Sequence, residues 1–189
     1  MTQPLPLPRL VIRALERAST WHDGQWRRHP TEKIPYIAHP ATVGFLLQRA
    51  GYSDEIIAAG ILHDVIEDCG VTKEEIAAAF SPEIAELVAW LTEPTQNIET
   101  WKERKDLYRQ QLTQAPDEAL IIKAADCVAN LTSLLDALEV DPTTWSMFYA
   151  GREEKMAHEQ AVLDIVSSRI DAPLVALFRE LHERVMQLP

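Results

Sequence analysis

Cysteine is nearly missing from this 189-residue chain: Cys69 and Cys127 cannot build a disulfide framework, and neither belongs to a CxxC pair with metal-ligand spacing. They read as intracellular thiols. No apolar run approaches the roughly 20 residues that span a bilayer. Met1 to Pro8, with Pro4, Pro6 and Pro8, has neither the basic start nor the apolar stretch of a secretory leader. A cytoplasmic location with no membrane partner is therefore expected. Basic residues are also scarce, 18 Lys and Arg against 29 Asp and Glu, for a net charge of -11. A field of that sign gives no general attraction to a phosphate backbone, so nucleic acid is not expected as a partner. A small anionic substrate stays open, because a metal ion and a few local cations can reverse the potential inside a pocket.

Strand patterns are weak throughout, whereas apolar positions recur at helical spacing and good helix formers dominate nearly every segment. The pattern predicts an all-α bundle of about seven to nine helices. At 47% hydrophobic and 25% charged residues, a single domain over 1–189 with a Pro-rich tail at 1–8 is the default. A first helix is expected from about Arg9 to Thr20, a polar loop from Asp23 to Pro35, and a second helix after Pro40. Ser53 is placed to cap a helix running to Cys69-Gly70. Thr72 with Glu75 forms a capping-box pattern, and Ser81-Pro82 opens another helix. After a loop at Glu93 to Glu99, helices are expected over Thr100–Gln114, Asp117–Leu138, Trp145–Ser168 and Pro173–Leu188.

The string Leu62-His63-Asp64-Val65-Ile66-Glu67-Asp68 carries the chemistry. At about 100° per residue, positions 63, 64, 67 and 68 would share an arc of about 140° on one helix, with Ile61, Leu62, Val65 and Ile66 opposite. An adjacent His-Asp pair can place an imidazole nitrogen and a carboxylate oxygen on one divalent ion, and Glu67 and Asp68 can reach its water. A solvated amphipathic face is the alternative, but such a face usually mixes Lys and Arg among its acids and this one does not. Three crowded negative charges favour a cation among them.

Further ligands can come from two other stretches. His39, in Tyr36-Ile37-Ala38-His39-Pro40, is either a third ligand or a capping or half-buried histidine. Lys123, Asp126 and Asn130 would lie within about 60° of one another on a helix, and Asp126, in an apolar neighbourhood, needs a partner. Two imidazoles and two carboxylates suit Mn2+, with zinc less natural among so many oxygens. Arg27 and Arg28 either hold an anion through forked donors or form a solvated basic loop.

These motifs, in this order, resemble the HD-domain hydrolases of the RelA/SpoT type, in particular the small stand-alone alarmone hydrolases that include the metazoan SpoT homologue. His22-Asp23-Gly24-Gln25-Trp26-Arg27 resembles AHxGQxR, Pro35 to Pro40 resembles PYIxHP, Ala58 to Asp68 resembles AAxLHDxxED, and Lys123 to Asn130 resembles KxADxxxN. The resemblance covers roughly residues 15 to 135. It implies an HD-domain helical bundle that hydrolyses guanosine tetra- or pentaphosphate at the 3′-pyrophosphate. Mn2+ would sit on His39, His63, Asp64 and Asp126, with Glu67 and Asp68 handling water and protons. It further implies that Arg27 contacts the base and Asn130 the sugar side; Arg28 stands where a lysine is usual, and Lys123 would help neutralise the substrate. Cys127, Ala129, Ser81 and Glu93 stand where the pattern commonly has Arg, His or Tyr, Gly and Lys. Only degradation is expected, since synthetase and regulatory domains would need more chain. Another nucleotide such as NADPH (at its 2′-phosphate), a 5′-nucleotide, or non-catalytic binding of the alarmone are the alternatives, and a homo-oligomer is left open.

Overall fold

The computed structural model describes residues 8–94, 98, 100–148 and 150–188. Most of the Pro-rich tail and part of the 93–99 loop, including Asn97, lie outside them. Among the described residues the fold is all-α, with no β-strand. In order come α1 (Arg9–Trp21), α2 (Ala38–Arg49), α3 (Asp54–Leu62), α4 (Val65–Cys69), α5 (Lys73–Ala79), α6 (Pro82–Leu91), α7 (Trp101–Gln114) and α8 (Asp117–Val140). A 3-10 helix (Pro142–Met147), α9 (Gly151–Ser167) and α10 (Pro173–Gln187) complete the order.

The ten α-helices exceed the seven to nine expected because one expected helix is two. The helix starting after Ser53 stops at Leu62 and restarts at Val65, with Asp64 at φ -97° and ψ -7° between them. The arc inferred for a continuous helix therefore does not apply, and the break re-aims His63 and Asp64 relative to Glu67. The expected helix from Trp145 likewise begins only at Gly151, after a 3-10 helix capped by Asp141.

The capping chemistry is otherwise as the residue types dictate. Ser53, Thr72, Ser81 and Thr100 each accept a backbone N–H of the first turn, and Thr72/Glu75 and Thr100/Glu103 close capping boxes. Gly70 ends α4 at φ 68°, which a residue with a Cβ rarely adopts.

The long α8 is buried nearly all round, from Ala119 to Leu138, and packs against α2, α3, α6, α9 and α10. Against it, α2 and α3 lie unusually close. A Cβ on Gly60 would meet Leu47 Cδ1 at 2.4 Å, and one on Gly44 would meet Ile61 Cγ1 at 2.6 Å. Two missing side chains thus bring together the helices that carry His39 and lead into His63. The 23–35 loop folds back on itself through a Trp26–Pro35 bridge, with Arg27 N–H donating to Ile34 O (2.8 Å) and Tyr36 N–H to Gln25 O (2.9 Å).

Candidate metal centre and active site

His39 lies in the first turn of α2, His63 and Asp64 at the α3–α4 break, and Asp126 in the middle of α8. Their donor atoms meet. His39 Nε2 is 3.2 Å from His63 Nε2, 3.1 Å from Asp126 Oδ1 and 3.6 Å from Asp64 Oδ2. His63 Nε2 is 3.1 Å from Asp64 Oδ2 and 3.7 Å from Asp126 Oδ1. The His39, His63 and Asp126 donors all lie within 4.8 Å of one another, and all three residues are buried.

The donor set fits a divalent cation. His63 Nδ1–H donates to Gly60 O at 2.7 Å, which leaves the Nε2 lone pair turned into the cluster. The two aspartates draw positive charge to this place. Burial works against protonation of His63, but Asp64 and Asp126 outweigh it and hold its pKa well above the ordinary value. Burial dominates at His39 and lowers its pKa. Against the penalty of their own burial, His63 pushes Asp64 down, and Lys123 with the two imidazoles pushes Asp126 down. A buried and a half-buried carboxylate facing two imidazoles form the environment a metal ion satisfies.

A second layer of contacts fixes these donors. Tyr36 O–H donates to Asp64 Oδ2 (2.6 Å), Lys123 Nζ to Asp126 Oδ2 (2.7 Å) and Asn130 Nδ2 to Asp126 Oδ1 (2.6 Å). Arg27 Nη2 reaches Asn130 Oδ1 at 3.4 Å. The Arg27 pKa is lowered by its burial.

The cluster opens into a cavity of about 930 Å3 whose lining includes all ten residues singled out by the sequence. Glu67 and Asp68 stand on its wall, reached by solvent yet enclosed enough that burial raises both. Glu67 is pushed up to about 7 by burial and then by the nearby Glu93 carboxylate, while its Oε2 accepts the Glu93 N–H at 3.2 Å. Arg28 is exposed at the rim.

Several residues gathered here were not singled out by sequence. Tyr36 sits three positions before His39, and its place in the Pro35–Pro40 motif gave it no assigned role. Gln25 Oε1 accepts from His22 Nδ1–H (2.7 Å) and Gln25 Nε2 donates to Asp68 O (2.9 Å), tying the loop to α4. Glu93, Arg104, Lys105, Lys155, His158 and Glu159 line the cavity from the α6 end, α7 and α9. Nothing in the local pattern of those helices separates them from a solvated face.

The HD domain family model matches residues 14–146. A guanosine-3′,5′-bis(diphosphate) 3′-pyrophosphohydrolase from Borreliella burgdorferi is 35% identical over 131 residues, which are 66% of this chain and 19% of that protein. The chain thus spans about a fifth of the long curated relatives it matches. The Xenopus tropicalis guanosine-3′,5′-bis(diphosphate) 3′-pyrophosphohydrolase MESH1 is 32% identical over 139 residues, 72% of this chain and 74% of that one. The solved structure of a metazoan orthologue of SpoT that hydrolyses ppGpp superposes with a TM-score of 0.79 at 26% identity, covering 100% of both chains. Motif order, helical architecture and the meeting of His39, His63 and Asp126 agree with that match, and the chain belongs to the HD domain family.

Proposed function

We propose that the protein hydrolyses guanosine tetra- or pentaphosphate at the 3′-pyrophosphate, releasing pyrophosphate and GDP or GTP. One Mn2+ would be held by His39, His63, Asp64 and Asp126. The observation that carries this reading is the approach of two imidazole Nε2 atoms and two carboxylates to within 3.1–3.7 Å at the floor of a cavity that Glu67 and Asp68 also line. Relatives bearing that activity in their names supply the substrate class.

When bound, such an ion supplies Lewis acidity toward a phosphoryl oxygen and makes water more acidic. The protein's own groups do the rest. Glu67, titrating near 7, is matched to accept the proton of the attacking water at neutral pH. As that oxygen bonds to phosphorus, the bond from phosphorus to the sugar 3′-oxygen breaks. Asp68, raised by its burial and by Asp64, is placed to give that oxygen a proton. Lys123 and Asn130 hold Asp126 in orientation, and Lys123 lowers the negative charge the incoming phosphates meet. Arg27, beside Asn130, and Arg28 at the rim offer forked donors to the nucleotide.

We treat residues 1–189 as one phosphohydrolase domain acting in the cytoplasm on a small guanine nucleotide. Turnover of a panel containing guanosine tetraphosphate, NADPH and 5′-nucleotides, with and without Mn2+, tests this. Mn2+-dependent release of pyrophosphate from the tetraphosphate is expected. Turnover of NADPH or a 5′-nucleotide in its place would move the chain to another HD phosphohydrolase specificity, and tight alarmone binding with no turnover would make it a binding protein.

A further inference from the structure

Where α6 ends and α7 begins, a buried carboxylate sits on two cations inside the cavity. Glu93 is 8% exposed, its Oε2 accepts from Arg104 Nε at 2.9 Å, and its Oε1 accepts from Lys105 Nζ. All three side chains line the cavity. The backbone N–H of Glu93 meanwhile holds Glu67 Oε2 at 3.2 Å, so this group stands beside the reacting centre. Arg104 and Lys105 lie near the start of α7, whose N-terminal end carries positive dipole charge, and cations there call for an anion. Among the described residues lining the cavity, Lys and Arg side chains equal the carboxylates in number, six of each.

We propose that Glu93 tunes the affinity for the substrate's second phosphate: it is an internal carboxylate seated on Arg104 and Lys105, the cation pair that phosphate would otherwise take. A diphosphate group entering the site meets these cations already engaged, and must displace Glu93 or lie against its charge in an enclosed, low-dielectric place. A single phosphate at the metal cluster makes no such demand. The consequence is a weaker hold on the diphosphate, as substrate or as released pyrophosphate, than the bare cation pair would give. This inference rests on the phosphohydrolase reading of the same site.

The test is titration calorimetry of the metal-loaded protein at pH 8.5 and fixed free Mn2+, with inorganic pyrophosphate and inorganic orthophosphate as probes. Glu93→Gln is expected to bind pyrophosphate about tenfold tighter, one charge-assisted contact regained, while orthophosphate affinity shifts less than threefold. Adding Lys105→Met to Glu93→Gln is expected to abolish the gain. Glu93→Asp, which keeps the charge but withdraws it by a methylene, should gain about threefold and serves if the Gln variant does not fold. Unchanged or weaker pyrophosphate binding in the folded variant overturns the proposal, as does an equal gain for both probes. A wild-type protein inactive on guanosine tetraphosphate but showing the Glu93-dependent gain would retire the guanine-nucleotide reading and leave this one standing. Normal hydrolysis with no such gain would do the reverse.

Discussion

The Nε2 atoms of His39 and His63 stand 3.2 Å apart although the residues are 24 positions distant and belong to different helices. Two ring nitrogens at that separation either share a proton or hold a metal, and the carboxylates of Asp64 and Asp126 beside them favour positive charge there. The close contact of α2 with α3 is what makes it geometrically available.

That contact depends on Gly60. Gly60→Ala would drive a methyl to 2.4 Å of Leu47 Cδ1, and Leu47 is fully buried. Overpacking of this kind costs about 1–3 kcal/mol, and for a chain of this size each kcal/mol lowers Tm by about 2–4 °C. Differential scanning calorimetry should show that fall together with weaker metal binding, because α3 leads into His63.

Tyr36→Phe removes one hydroxyl and its bond to Asp64 Oδ2. Loss of an orienting contact behind a metal ligand weakens metal binding by about 10–100-fold. Competition against a metal-chelating dye should show this while the far-ultraviolet circular dichroism of the variant stays that of the wild type.

Glu67 supplies a pH dependence. Burial and Glu93 push its pKa up to about 7, so the ionised form that accepts a proton is a minority below that pH. kcat/KM is therefore expected to climb about tenfold per pH unit on the acid side of about 7. Glu67→Gln should lose about 10²–10⁴-fold in turnover, lack that limb, and still bind metal.

How much of this was legible in the sequence differs by element. The capping residues Ser53, Thr72 and Ser81 and the spacing of apolar positions set the all-α fold and most helix starts. His63, Asp64 and Asp126 stood out as ligand-type residues in apolar surroundings where a lone charge is unfavourable, whereas His39 stayed open between ligand and capping histidine until the family resemblance placed it. The break at His63-Asp64 was not legible, since Ile61 to Ile66 keeps helical periodicity and carries neither Gly nor Pro to mark an interruption. Arg104 and Lys105 were not either, and Glu93 was visible only as a departure from the family pattern: charged residues flanking a loop look like solvated surface until the fold turns them inward.

Glu159 ties stability to acid pH. It is buried, and although burial alone would raise its carboxyl, Lys155 and Lys123 hold it down to about 2, against 4.5 in the unfolded chain. The folded value is the lower one, so the unfolded chain takes up the proton first. This stabilisation is fully present above about pH 4.5 and is lost as pH falls toward 2. His158 adds to the same trend from a higher pH: burial lowers it to about 3 from 6.5, so the folded state resists a proton the unfolded chain accepts. Denaturant titrations at pH 6, 4 and 3 should show wild-type stability falling, with Glu159→Gln falling less over the lower interval.

Metal content is the most direct measure of the central arrangement. Wild type, His39→Ala and Asp126→Asn are purified without chelator, equilibrated with Mn2+, desalted and measured by inductively coupled plasma mass spectrometry alongside pyrophosphate release from guanosine tetraphosphate. The expected result is about one ion per wild-type chain, with metal and pyrophosphate release lost together in both folded variants. A folded His39→Ala or Asp126→Asn protein that kept the ion and full turnover would contradict it.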